Sequence, residues 1–254
     1  MSHYDSWLEN HRREYPDSLS YLDEQGKHPD TGTMRALRVE SSVACVYLKR
    51  WRHDIPYKNL AFRMDGKNTE FKICDEYVYE RRDEIEKVRE NTIATLEWRS
   101  YGILDSDSLS SPDNTAIEED PAIQPFARKA GRTDTRLLYS IEPGRTQLNI
   151  KLTQYNDLKP GREDLAIMTL DNATTDRLEI KVDFSDLCKK DPGTIFELEP
   201  RAEYIPPFQR SGNDIPVQLR DPSKKVWSSS YISQDKKKPL PPGSRIRMSW
   251  RHLR

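Results

Sequence analysis

Asp75-Glu76-Tyr77-Val78-Tyr79-Glu80-Arg81-Arg82-Asp83-Glu84-Ile85-Glu86-Lys87-Val88-Arg89-Glu90-Asn91-Thr92-Ile93-Ala94-Thr95-Leu96-Glu97-Trp98 is the stretch on which the fold class turns. Asp75 stands where an N-cap belongs, since its carboxylate can accept from the N–H groups that a first helical turn leaves unpaired. Val78, Ile85, Val88, Thr92 and Leu96 fall on one stripe, and Arg82/Glu86 and Asp83/Lys87 pair at i,i+4 on the wetter face. The spacing predicts a long helix over residues 76–98, covering a sheet formed by the residues before it.

Upstream, the apolar run Val43-Ala44-Cys45-Val46-Tyr47-Leu48 within Met34–Trp51 suits a buried helix or strand, and its β-branched content favours strand. Asn59–Met64 and Thr69–Ile73 flank Asp65-Gly66-Lys67-Asn68, where Asp-Gly supplies the positive φ of a tight hairpin. Tyr4, Trp7, Leu8, His11 and Tyr15 predict a short helix that stops before Pro16, and Ser18–Gln25 a second that stops at Gly26. Residues 1–103 are therefore expected to form a mixed α+β domain, with hairpin plus long helix.

Downstream, residues 104–134 are rich in Ser, Asp and Pro, include Glu118-Glu119-Asp120, and lack any sustained apolar period. A structureless loop of that length is uncommon inside one compact domain, so this segment reads as an acidic Ser/Pro-rich linker. Beyond it come eight short runs: Arg136–Ile141, Gln147–Gln154, Leu165–Leu170, Arg177–Phe184, Thr194–Leu198, Ile215–Leu219, Val226–Ile232 and Arg245–Trp250. Turn signals such as Glu142-Pro143-Gly144 and Pro241-Pro242-Gly243 separate them, predicting an antiparallel β-sandwich of jelly-roll or Ig-like kind over residues 135–254. The fold class is then α+β, mainly β.

The 254 residues are 35% hydrophobic and 33% charged, and no run approaches the roughly 20 apolar residues of a membrane-spanning helix. Met1 to Trp7 lacks a basic then apolar leader, which predicts an intracellular location, cytoplasmic or within an assembled particle. Cys45, Cys74 and Cys188 form neither a disulfide framework nor a close thiolate pair, so reduced thiols, no metal and no cofactor are expected. Asn172-Ala173-Thr174 fits a glycosylation sequon but lacks a secretory context, and carries no weight.

None of His3, His11, His28, His53 and His252 lies in a nucleophile-base motif, and no phosphate-cradling glycine loop is present. Glu179-Ile180-Lys181 is a very weak likeness to the Glu-x-Lys of metal-dependent nucleases. Alternating charge on the wet face of a strand explains it better. No catalytic residue is assigned.

Charge is asymmetric: residues 135–254 carry a net +5 and residues 1–134 a net −6. The excess concentrates in Lys224, Lys225, Lys236, Lys237, Lys238, Arg245, Arg247, Arg251 and Arg254, against Asp235 alone, with Trp227, Tyr231 and Trp250 interleaved. Cations for phosphate and rings for base faces are what a nucleic-acid or other polyanion surface needs. Lys49, Arg50, Trp51 and Arg52 repeat that mixture on a smaller scale. The plainer alternative is core aromatics with lysines that keep loops soluble. Tyr204-Ile205-Pro206-Pro207-Phe208 and Lys238-Pro239-Leu240-Pro241-Pro242 read as stiffened loops rather than polyproline ligands.

A charged sandwich without recognisable site chemistry points to a non-catalytic structural or assembly protein, such as a subunit of a viral or other large particle, acting through protein partners or self-association. The alternatives are a nucleic-acid-binding protein using the basic C-terminal surface, and a hydrolase or metal-dependent nuclease with an unmarked site.

Overall fold

The computed structural model describes residues 27–28, 32–34, 37–52, 62–64, 67–69, 73–100, 103–113, 115–119, 133–157, 162–190, 195–222, 225–235 and 238–253. In chain order the strands are β1 (Lys27–His28), β2 (Gly32–Met34), β3 (Leu37–Arg52), β4 (Phe62–Met64), β5 (Lys67–Thr69), β6 (Ile73–Ile85), β7 (Thr92–Ser100), β8 (Ile103–Ser110) and β9 (Ala116–Glu119). They continue as β10 (Thr133–Ile141), β11 (Gln147–Asp157), β12 (Arg162–Met168), β13 (Ala173–Thr175) and β14 (Arg177–Asp183). After the helical turn α1 (Ser185–Lys190) come β15 (Ile195–Ile205), β16 (Asn213–Ile215), β17 (Val217–Asp221), β18 (Val226–Ile232) and β19 (Arg245–Leu253). The chain is mainly β, and each of the eight runs expected after residue 135 contains strand.

The long helix over 76–98 is not formed. Residues 73–85 are strand β6, residues 86–91 turn, and residues 92–100 return as β7 in a different sheet. The physical reason lies in alternation. On β6 the inward positions are Tyr77, Tyr79, Arg81, Asp83 and Ile85, all buried, so two charged residues occupy core positions and hide the period of two. Arg82 pairs with Glu84 and Asp83 with Arg81, two residues apart on the same strand face rather than four apart on a helix. The hairpin at Asp65-Gly66 does pair, as β4 with β5 through Met64↔Lys67. The two short helices expected between Tyr4 and Gly26 lie outside the described residues.

An eight-stranded sheet runs β17-β18-β14-β3-β6-β11-β8, with β13 added beside β3; a five-stranded sheet runs β1-β2-β7-β10-β9 and a four-stranded sheet β12-β19-β15-β16. β3 lies antiparallel to β6 but parallel to β13 and β14. Strands from either side of residues 104–134 thus share ladders, and that segment itself contributes β8 and β9. Both smaller sheets stack on the same face of the large one. Trp98 of β7 meets Tyr79 edge-on at 4.7 Å, Trp250 of β19 meets Phe184 edge-on at 5.3 Å, and Tyr204 of β15 stacks on Tyr231 at 3.8 Å. Val46, Tyr79, Val182, Ile150 and Leu96 fill the resulting core.

The turn at Asp171-Asn172 pins the three sheets together. The Asn172 carboxamide donates to Ile93 O at 2.7 Å and accepts from Thr95 N at 3.1 Å, as a parallel strand residue bridges positions on either side of its neighbour. The same turn takes a bond from Leu37 N to Asn172 O and gives one from Asp171 N to Thr95 O, while Thr169 N reaches Ser244 O. Asn172 is buried, and its side-chain nitrogen is committed inside the fold.

Candidate interaction surface

The face of the eight-stranded sheet turned away from the two smaller sheets carries a ladder of opposite charges. Lys151 meets Glu80 at 3.0 Å, Lys49 meets Glu76 at 3.7 Å, and Glu179 lies between Lys181, at 3.3 Å, and Arg177. Glu179 is itself buried and is neutralised by Arg177 and Lys181 together, so the expectation of alternating charge facing water holds for Lys181 and not for Glu179. Cys45 sits among them half-buried, its thiol pushed up by burial against the opposing pull of Lys181. Among the described residues no three His, Cys, Asp or Glu side chains group as a metal site. Beneath this face Arg81 and Asp83 form a fully buried ion pair, Nε to Oδ2 at 2.9 Å and Nη2 to Oδ1 at 2.9 Å, with the Ser42 hydroxyl also donating to Asp83.

The expected basic residues divide between the two ends of the stack. Lys49 and, farther along β3, Arg50, Trp51 and Arg52 lie towards the end where Tyr47 pairs with Asp183 and Asp183 with Val226, next to Lys225 in the β17–β18 turn. Trp227 of that hairpin is packed partly against the core. Arg251 follows the buried Trp250 on β19, whose ring touches Phe184 at this same end. Arg245 and Lys238 lie at the opposite end, and Arg247 is held in an ion pair by Glu203, its Nε donating at 2.6 Å. Lys224, Lys236, Lys237 and Arg254 lie outside the described residues.

At the Arg245 end two proline turns abut. Ser244 N donates to Pro241 O at 3.1 Å, closing Pro241-Pro242-Gly243-Ser244 with Gly243 at φ 82°. Gln209 N donates to Pro206 O at 3.3 Å, closing Pro206-Pro207-Phe208-Gln209 with Phe208 at φ 62°. A Cβ built on Gly243 would lie 3.6 Å from Pro207, so the turns are in contact, and Arg245 Nη2 braces the second through Gln209 O at 2.8 Å. Pro at the second position and positive φ at the third is the type II pattern, which favours Gly at the third. Phenylalanine there costs about 1 kcal/mol of backbone energy.

That Phe208 is 63% exposed, so burial does not offset the cost within the fold. Ile232, 56% exposed, ends β18 where the Ser233–Ser244 segment begins, and Ser233 Oγ ties that segment at Lys238 O at 2.5 Å. Leu219, on β17, is the third large apolar side chain exposed among the described residues, at 37%. Pro216 and Pro222 bracket β17, blunting that sheet edge. Sequence reasoning missed Phe208 and Ile232. The available signal was Pro-Pro-Phe standing where the neighbouring turn has Pro-Pro-Gly.

No family model matches the chain, and no curated protein does. Among solved structures, an M1 zinc metallopeptidase from Deinococcus radiodurans is similar over 88% of this chain and 44% of its own, at 10% identity and TM-score 0.30. The Mu homology domain of Fcho1 from Danio rerio, with a bound peptide, is similar over 86% of this chain and 81% of its own, at 9% identity and TM-score 0.25. The chain spans less than half the length of the peptidase it matches. Neither likeness carries an argument about function.

Proposed function

We propose that the chain is a non-catalytic interaction module that docks through the end of its sheet stack formed by the turns at Pro206–Gln209 and Pro241–Ser244. The observation carrying this reading is Phe208, a large apolar side chain presented to solvent by a turn whose backbone disfavours it. Strain retained without compensating burial is the mark of a residue kept for contact. Stiff prolines on both turns support the reading, because a pre-ordered loop loses less entropy on docking.

The test is a photo-reactive phenylalanine analogue at position 208 of the full chain, irradiated in extract of its native cells. Adducts are expected from 208 and not from Gln218, an exposed position on the blunted strand β17. Equal yields from both positions, or none from 208, would overturn the docking reading. A second reading is polyanion binding at the other end, favoured by the shared placement of Lys49 to Arg52 and Lys225 beside the ends of β14 and β18. Retention on an immobilised polyanion, falling steeply with salt and lost on Lys49→Glu/Lys225→Glu, is its expected signature.

A further inference from the structure

We infer that a single water molecule is held in the otherwise dry layer between the eight-stranded and five-stranded sheets, bridging Arg81 Nη1 and the Tyr139 hydroxyl. Strand register brings both groups into that layer. On β7, Ala94 shares a face with Trp98, whose ring meets Tyr79; Tyr139 stands opposite Ala94 on β10, and Arg81 follows Tyr79 on the same face of β6. Burial pushes the Tyr139 hydroxyl up, and the Arg81 guanidinium is the strongest charge acting on it, pulling the other way. Arg81 is 1% exposed and Tyr139 0%, yet neither Nη1 nor the hydroxyl oxygen has a hydrogen-bond partner among the described residues. Polar atoms shut in without a partner cost their full desolvation, so native folds pair nearly all of them, using ordered water where no protein atom reaches. Asp83 already neutralises Arg81 through Nε and Nη2, so the remaining position calls for a neutral molecule that accepts from the guanidinium and bonds the hydroxyl, which is water and not an anion. Small neighbours leave it room: Ala44 stands opposite Arg81 on β3 and Ala94 opposite Tyr139 on β7, both buried.

Two measurements on the full chain test this: oxygen-17 magnetic relaxation dispersion, which registers waters held longer than the protein takes to tumble, and the urea unfolding midpoint. Tyr139→Phe keeps the ring and deletes the hydroxyl. With a bridging water, the variant should lose one long-lived water and its midpoint should fall, because Nη1 is left without its partner. A hydroxyl that is unpaired gives the opposite sign: deleting it relieves a buried polar atom, so the midpoint rises and the dispersion stays as in the parent. Arg81→Met/Asp83→Leu removes the other anchor and should lose the same water. Chloride raised at constant ionic strength should leave the parent midpoint unmoved. An unchanged dispersion in Tyr139→Phe, or a midpoint that stays or rises, overturns the inference. A chloride-dependent gain in midpoint that disappears in Tyr139→Phe overturns it in favour of a bound anion.

Discussion

Replacing Asp83 by alanine isolates the most strongly coupled contact in the core. Arg81 and Asp83 side chains are 0% and 1% exposed, and the carboxylate accepts from Nε, from Nη2 and from the Ser42 hydroxyl. Guanidinium does not deprotonate in proteins, so Asp83→Ala leaves a full positive charge between two sheets with its counter-ion gone. Breaking a buried pair in this way costs about 3–5 kcal/mol. A domain's whole stability is about 5–15 kcal/mol, so the variant should be marginally folded. With a urea m-value of about 2 kcal/mol per molar, a loss of about 4 kcal/mol lowers the unfolding midpoint by about 2 M. Removing both charges is a different perturbation. Arg81→Met/Asp83→Leu fills the same space with apolar atoms and should lie within about 1 kcal/mol of the parent. A single variant that loses less than about 1 kcal/mol, or a double variant as unstable as the single, would refute the placement of an uncompensated charge in a dry core.

Asn172→Ala removes the carboxamide that serves both Ile93 O and Thr95 N, and leaving these buried groups unpaired should cost about 2–4 kcal/mol in thermal or urea unfolding, whereas an effect below about 0.5 kcal/mol would deny the turn its clamping role. Burial pushes the Tyr79 hydroxyl up to about 12, with Arg81 pulling it the other way, and raises Tyr139 well above its ordinary range. Both favour the neutral form in the fold while unfolded tyrosines ionise near pH 10, so their stability contribution is complete below about pH 10 and lost as pH climbs towards 12. Tyrosinate absorbance and circular dichroism should therefore change together in that window, and full ionisation with the strand signal intact would contradict the burial. Residues 135–254 expressed alone should show no cooperative melt, because β14 loses β3 and β11 loses β6; a sharp transition in that fragment would restore an independent C-terminal domain.

The strands after residue 135 were legible because turn residues mark their ends and each run stays apolar or β-branched on one side. β6 was illegible for an electrostatic reason. With Arg81 and Asp83 satisfying each other inside, polarity no longer reports exposure, and Glu80 to Lys87 reads as a solvated helix face. The β3–β14 pairing had no local trace, since parallel neighbours meet without a turn between them. The basic character of the C-terminal loops was visible in composition, but its division between two ends follows from strand direction alone. Phe208 looked like a loop stiffener because sequence shows that proline precedes it and not which way the ring points.

The parallel partnership of β3 has a consequence in time. Arg38 and Asp176, at the start of that pairing, form their ion pair across 138 positions. A ribosome adding about 5–20 residues per second needs roughly 7 to 30 s to bridge that interval. Throughout it, β3 can close one side with β6, while its other side presents unsatisfied amides and carbonyls over the Leu37 to Tyr47 stretch that β13 and β14 later pair. The nascent chain is thus most adhesive midway through synthesis, and messages truncated before residue 177 should yield products that clump or lean on holding chaperones, whereas chains completed past β14 should not.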